Sequence, residues 1–407
     1  MKDYSPRWIN LNNETEAKKA MQQIGSDPGG IAHMAGKPIG RALKLENVPL
    51  PAAHIIKQEM LSLGGDAAVH RNVVVNKIEA SDILLVGTAK HFRRLSQKLA
   101  AQPFGLKDLG KSLKGLLETL EPPKQRVLPC RGKDIVLGER TLIMGILNLT
   151  PDSFSDGGKF NTLERAIKQA EALVEQGADI LDIGAESTRL NHDPVSAEEE
   201  WHRLEAVIKA LLPRLAVPIS VDTYKAEVAE RALAAGVHMI NDVWGLQKDP
   251  GMAEVVGKYQ APVIVMHNQE GSSYHHLIGD MMAYLKKSIH LAEEQGLTGD
   301  QIIIDPGIGG VAFGKSLDFD LEIMSRLGEF RSLGHPILLG TSRKSMIGQT
   351  LNLPMEERLE GTLATSVVGV AAGVDILRVH DVQANKRAVQ MADAIYRRKR
   401  GENFSGA

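Results

Sequence analysis

From residue 141 onward, short apolar, β-branched runs alternate with stretches whose apolar residues recur every three or four positions. The runs are TLIMGILN (141–148), DILDIG (179–184), PISVDT (218–223), HMIND (238–242), PVIVMH (262–267), QIIIDPG (301–307), PILLGT (336–341) and DILRVH (375–380). Between them, 162–176, 197–212, 225–235, 281–295 and 357–371 read as amphipathic helices. In the first, Leu163, Ile167, Ala170, Leu173 and Val174 share one stripe. Nearly continuous apolar strands predict a parallel sheet covered by helices. Eight strand–helix units spaced about thirty residues apart predict an α/β fold of the (β/α)8 TIM-barrel type rather than an open sheet. No GxGxxG follows the first run, so the dinucleotide-binding signature is missing.

Residues 1–120 carry a different pattern. A helix at 51–63, strand-like runs VVVNKI (73–78) and DILLVGT (82–88), and a helix at 90–100 predict a smaller α/β N-terminal domain. EPPKQRVLPC (121–130) holds three prolines and reads as a linker, and 126–137 is expected to form a hairpin plugging the N-terminal mouth of the barrel. The expected division is therefore 1–120, a linker and hairpin at 121–140, and a barrel at 141–397. A 407-residue chain has room for a barrel of about 250 residues and one smaller domain.

Composition narrows the partners. With 43% apolar residues, 24% charged residues and a net charge of -2, the chain lacks the basic surface that nucleic acid or a membrane would require. RRKR at 397–400 reads as a solvated helix end. The single Cys130 excludes an internal disulfide and a cysteine-based zinc cluster, and with no histidine partner in sight it is expected to be inert. MKDYSPRWINLNNE has no apolar core for a signal peptide, and no run of about 18 apolar residues follows, so a cytoplasmic location is expected.

In a barrel of this type the reacting groups sit at the C-terminal ends of the strands. The eight runs end in Asn148; Asp182, with Glu186, Ser187, Thr188 and Arg189 beyond; Asp222; Asn241 and Asp242; Met266 and His267; Asp305; Ser342, Arg343 and Lys344; and Arg378 with His380. One such residue is usually a cap or a turn former; polar groups at all eight ends of one face point to a site. Asp222, Asn241 and Asp305 suit a flat, nitrogen-rich heterocycle, Lys344 can reach an electronegative ring atom, and Met266 can pack on a ring face. Arg189, Arg378 and His380 suit a diphosphate, and Asn148 offers a neutral oxygen to a Mg²⁺ otherwise held by phosphate oxygens and water.

GILNLTPDSFSDGG (145–158) and DILDIGAESTR (179–189), followed in order by VDTYK, IND, DPGIG, GTSRKS and RVHDV, resemble the signature segments of the dihydropteroate synthase family over about residues 130–397. The resemblance implies 6-hydroxymethyl-7,8-dihydropterin diphosphate and p-aminobenzoate as substrates, dihydropteroate and pyrophosphate as products, and a homodimer. It puts Mg²⁺ on Asn148, and Phe154 and Asp156 on a mobile loop that closes on the diphosphate. Thr188, Asp222, Asn241, Asp305, Lys344, Arg378 and His380 would bind the pterin diphosphate, with Met266 against the ring. Arg189, Arg343 and Ser345 would lie near the p-aminobenzoate. Phe154, Asp156, Arg189 and Lys344 form the expected catalytic set. Mg²⁺, Arg378 and His380 would stabilise the departing pyrophosphate while the arylamine attacks the methylene carbon, with no covalent enzyme intermediate.

The chain departs from that pattern at Leu190-Asn191, where the family has Pro-Gly, and at DPGIGGVAFGK (305–315), which is longer and carries Phe313. His33, His54, His70 and His91 lack the close pairing of a metal site. Three rival readings remain. A pterin-dependent methyltransferase has no need for Asn148, Phe154 and Asp156 around a diphosphate. A catalytically inactive pterin-binding protein would not retain the diphosphate ligands. A Schiff-base aldolase using Lys344 is disfavoured by the adjacent Arg343.

Overall fold

The computed structural model describes residues 5, 7, 9, 11, 13–119, 125–149, 159–186 and 195–397. The chain divides into two compact units, Met1–Pro122 and Pro123–Ala407.

The first unit contains α1 (Glu14–Ile24), α2 (Pro28–Met34), β1 (Arg41–Pro49), α3 (Leu50–Ser62), β2 (Asp66–Val69), β3 (Ala80–Gly87), α4 (Ala89–Leu99) and α5 (Leu106–Glu118). Its three strands form an antiparallel sheet in the order β1-β3-β2. Alternation puts Ala67, Ile83 and Leu85 on the face that packs with Ile56, Met60, Phe92 and Leu95. The expected strand at 73–78 does not form. β2 and β3 pair from Val69↔Ile83 outward, so the segment between them only connects. Arg71–Val73 is a 3₁₀ turn, Asn76 is left-handed, and Val74 and Val75 are exposed. β-propensity there has no partner strand to act on. Three of the N-terminal histidines are spent locally: His54 on Asn76, His70 on the Asn72 amide and His91 on the Thr88 amide.

In the second unit, β4 (Arg126–Leu128) and β5 (Ile135–Leu137) make a short antiparallel hairpin. The barrel strands are β6 (Leu142–Asn148), β7 (Ile180–Gly184), β8 (Ile219–Asp222), β9 (Met239–Asp242), β10 (Val263–Met266), β11 (Ile302–Asp305), β12 (Leu338–Leu339) and β13 (Ile376–Val379). They run in parallel in the order β11-β10-β9-β8-β7-β6-β13-β12, and a parallel bridge between Ile304 and Ile337 closes the ring. This is a TIM barrel. Its outer helices are α6 (Lys159–Glu175), α7 (Ala197–Leu211), α8 (Ala226–Ala235), α9 (Gly251–Tyr259), α10 (Leu277–Glu294), α11 (Leu317–Ser325), α12 (Ser345–Leu351), α13 (Leu359–Ala372) and α14 (Val382–Tyr396).

Each strand sorts its side chains by alternation. Leu181, Ile183, Val221, Ile240, Val265, Ile304 and Leu377 point outward into the helix layer. Met144, Ile180, Met239, Ile264, Ile303, Leu338 and Ile376 point inward and fill the lower barrel together with Leu128, Cys130 and Leu137 of the hairpin. Truncating one of these, as in Ile180→Ala, removes packing worth about 2–5 kcal/mol. Basic hairpin residues meet backbone carbonyls of the barrel, one of them, Leu233 O, in the last turn of α8, where a cation is favoured. Arg131 donates to Leu233 O (3.1 Å), Lys133 to Leu215 O (2.6 Å) and Arg126 to Gly334 O (2.8 Å). Burial pushes the Cys130 thiol up to about 12, so it stays protonated and unreactive. Arg397 is not solvated as expected: it pairs with Asp393 and its guanidinium reaches the Val374 carbonyl, while 398–400 lie outside the described residues. Among the described residues no helix is long and apolar enough to cross a membrane.

Candidate active site

Two residues beyond the apolar inner layer, the inward direction turns polar. Asp182 follows Ile180, Asn241 follows Met239, Asp305 follows Ile303 and Arg378 follows Ile376; Asp222 follows the inward Ser220, while Ile146 after Met144, Met266 after Ile264 and Gly340 after Leu338 stay non-polar. The same alternation that fills the lower barrel with methyl groups therefore builds a charged floor above it.

That floor is held together by Asp182, which is fully buried. Its Oδ2 accepts Arg378 Nε–H at 2.7 Å and Asn241 Nδ2–H at 3.1 Å, while Arg378 Nη2–H reaches Asp222 Oδ2 at 2.6 Å. Burial works against the Arg378 cation, but Asp182 and Asp222 outweigh it and hold the guanidinium more firmly charged than usual. Burial pushes Asp222 up to about 7, opposing the pull of Arg378. Across the floor, Asp305 Oδ1 accepts the Gly307 amide at 2.7 Å. Burial raises the Asp305 carboxyl and lowers the Lys344 ammonium, and the attraction between the two offsets part of both shifts. Lys344 donates to the Ile308 carbonyl and lies 4.8 Å over the Phe313 ring. Met266, Val243 and Phe313, with Tyr224 and Trp244 against them, form an apolar wall.

The remaining expected residues fall as follows. Asn148 is exposed at the end of β6, opposite Gly184. His380 shares a 3.0 Å hydrogen bond with Ser342; burial, then Arg378 and Arg343, push it down to about 4, so its ring is neutral near pH 7. Arg343 adopts a left-handed conformation (φ 57) and is bidentate to Asp381 at 2.9 and 2.6 Å, so its charge is already met. Ser345 opens α12 so close to Gly310 that a Cβ there would lie 2.8 Å from its Oγ. Arg378, grouped by sequence with the diphosphate, sits in the floor between two carboxylates. Phe154, Asp156, Thr188 and Arg189, like Leu190-Asn191, lie outside the described residues. The longer loop after Asp305 is taken up by a 3₁₀ turn at Gly310–Phe313.

Three groups were missed by sequence reasoning. Asp182 was seen only as a strand end, although a charge at an inward position of an apolar strand was its signal. Lys315 is fully buried, donates to the Phe313 and His267 carbonyls at 3.0 and 3.4 Å, and is lowered by burial to about 7. Lys225 bridges Glu186 and Glu200 at 2.5 Å each, and Glu186 also takes the Val195 amide at 3.1 Å. Those last bonds had no local sequence signal.

A family of pterin-binding enzymes matches residues 144–380, the span that holds every described floor residue. The chain belongs to the pterin-binding enzyme family. This pterin-binding enzyme is 52% identical over 267 residues to the dihydropteroate synthase of Clostridium beijerinckii, covering 65% of this chain and 98% of that one. It is similar (TM-score 0.63, 54% identity) to a crystal structure of the Clostridium difficile dihydropteroate synthase in the presence of pteroic acid, covering 64% of this chain and 99% of the other. A probable bifunctional folylpolyglutamate synthase/dihydropteroate synthase of Halobacterium salinarum is 39% identical over 401 residues, 95% of this chain and 48% of its own length. The clostridial match covers 65% of this pterin-binding enzyme, whereas the halobacterial one covers 95% and must extend into the N-terminal unit.

Proposed function

We propose that the chain is a dihydropteroate synthase, joining 6-hydroxymethyl-7,8-dihydropterin diphosphate to p-aminobenzoate and releasing 7,8-dihydropteroate and pyrophosphate. The observation that carries this reading is the match to a dihydropteroate synthase over 98% of that enzyme's length. The floor has the chemistry the reading needs. Asp222, Asn241 and Asp305 offer oxygen acceptors to the amino and ring N–H groups of a pterin, Lys344 offers a donor, and Met266 and Phe313 offer a ring-sized apolar face.

In the reaction the methylene–oxygen bond to the diphosphate breaks, a carbon–nitrogen bond to the arylamine forms, and the amine proton passes to pyrophosphate or water. The carboxylates of the floor favour the positive charge that spreads over the pterin as the bond breaks. His380, neutral, serves the diphosphate as an N–H donor rather than as a cation. On this reading Arg343 and Ser345 border the p-aminobenzoate side, and Phe154, Asp156, Thr188 and Arg189, which lie outside the described residues, would supply the remaining ligands. No side chain acts as a nucleophile.

Among the described residues no three His, Cys, Asp or Glu side chains come together to hold a metal. The single hard oxygen of Asn148 suits a Mg²⁺ that arrives with the diphosphate and keeps phosphate oxygens and water as its other ligands. When bound, Mg²⁺ would neutralise charge on the leaving group. Exposed Val368, Met391 and Ile395 on α13 and α14 support a homodimer formed through these helices, and a lone buried thiol suits a cytoplasmic protein. Incubating the protein with both substrates and Mg²⁺ tests the function: dihydropteroate should form only when all are present. Pyrophosphate release without p-aminobenzoate consumption would refute it.

A further inference from the structure

A floor recognises a heterocycle only if each residue presents the right atom, and an asparagine side chain can present either an acceptor or a pair of donors. Asn241 has its Nδ2–H turned to Asp182 Oδ2 at 3.1 Å. That carboxylate oxygen also accepts the Arg378 Nε–H at 2.7 Å. Turning the amide over would set its oxygen against the carboxylate oxygen, leaving two buried acceptors face to face. Asn241 Oδ1 is thereby directed away from Asp182, and no described residue donates to it. Asp182 has no solvent exposure, and its Oδ1 has no partner among the described residues. An apolar residue of similar size would be the less costly occupant of such a position if shape alone mattered.

We propose that Asp182 is a positioning residue that sets the acceptor character of the pocket. By engaging Asn241 Nδ2 and Arg378 Nε, it turns the Asn241 oxygen toward the ligand and selects heterocycles that offer amino and ring N–H donors. This rests on the pterin-binding reading above. A merely structural strut would change stability and leave ligand discrimination untouched.

The test uses the full chain and two probes: 6-hydroxymethylpterin, and the dioxo pteridine in which a carbonyl oxygen replaces its amino group. Calorimetry should show the wild type preferring the amino compound at least tenfold. In Asp182→Asn the new amide can donate to the Asn241 oxygen, freeing Asn241 to turn over. That variant should lose tenfold or more of the preference while its KM for p-aminobenzoate is unchanged. Asn241→Leu, with the same branched skeleton but neither donor nor acceptor, should lose the preference to the same degree; an undiminished preference there would overturn the proposal even if Asp182→Asn does not fold. Equal binding of the two probes by wild type, or an undiminished preference in a folded variant, would overturn the role of Asp182. Wild-type protein that binds neither probe would sink the pterin reading together with it.

Discussion

At the scale of single residues, the floor of the barrel is a problem in buried polarity, solved by pairing. Asp222 and Asp305 are carboxylate acceptors largely withdrawn from water in the floor, so each should contribute a charge-assisted hydrogen bond of roughly 1.5–3 kcal/mol to pterin binding. Asp222→Ala and Asp305→Ala are expected to weaken calorimetric affinity for 6-hydroxymethylpterin by roughly 10- to 100-fold while the folded far-UV spectrum persists. Unchanged affinity would reduce both to turn formers. A different pH signature belongs to His238, whose Nδ1 accepts the Ile219 amide at 3.0 Å in the lower barrel. Burial, with Lys133 and Arg131 nearby, pushes it down to about 4. The folded state therefore binds fewer protons than the unfolded state between about pH 4 and 6.5. Its contribution to stability is complete above that window and is lost as the pH falls through it, by at most ~1.4 kcal/mol per pH unit. Urea midpoints at pH 7 and pH 5 should differ less for His238→Asn than for wild type; equal differences would contradict this origin. Such residues resist sequence reading for a simple reason. Asp182 meets Arg378 across 196 positions, so its role appears only once the barrel closes.

At the scale of elements, the eight strands were legible because inward and outward positions are both apolar until the strand's last residues, where one side turns polar. The segments that were not legible are those whose form depends on neighbours. In β12 a strand was expected at 336–341 and only its length was not legible: pairing with β13 covers just Leu338 and Leu339. α12 spans seven residues and ends at a left-handed Asn352. β1 was overlooked because half of its side chains are polar, while the valine-rich 73–78 was over-read because it is apolar. The loop after β11 is likewise set by contact. A Cβ on Gly309 would lie 2.1 Å from the Phe313 ring that backs Lys344. Gly309→Ala should displace that ring at a cost of about 1–3 kcal/mol. The expected result is a KM for the pterin diphosphate raised by about tenfold with a melting temperature lowered by only a few degrees. An unaltered KM would show that Phe313 and Lys344 do not act on the ligand as a pair.

At the scale of the whole molecule, two compact units divide the chain at residues 122 and 123, and the pterin-binding family match at 144–380 falls wholly within the second. A chain beginning at Gln125 retains the hairpin that fills the lower barrel, and all of the described floor residues. It is expected to fold and to keep a kcat within a few-fold of the full chain, measured by dihydropteroate formation. A soluble barrel that binds the pterin diphosphate normally but cannot turn over would place part of the active site in the N-terminal unit. The central claim is that the polar layer above the apolar barrel core is a pterin site. A crystal structure of the full chain with 6-hydroxymethylpterin tests it most directly. The ring should lie against Met266 and Phe313, with its amino and ring N–H groups on Asp222, Asn241 and Asp305 and with Lys344 at its electronegative edge. A ring bound elsewhere, or one held in the barrel without those three oxygens, would contradict it.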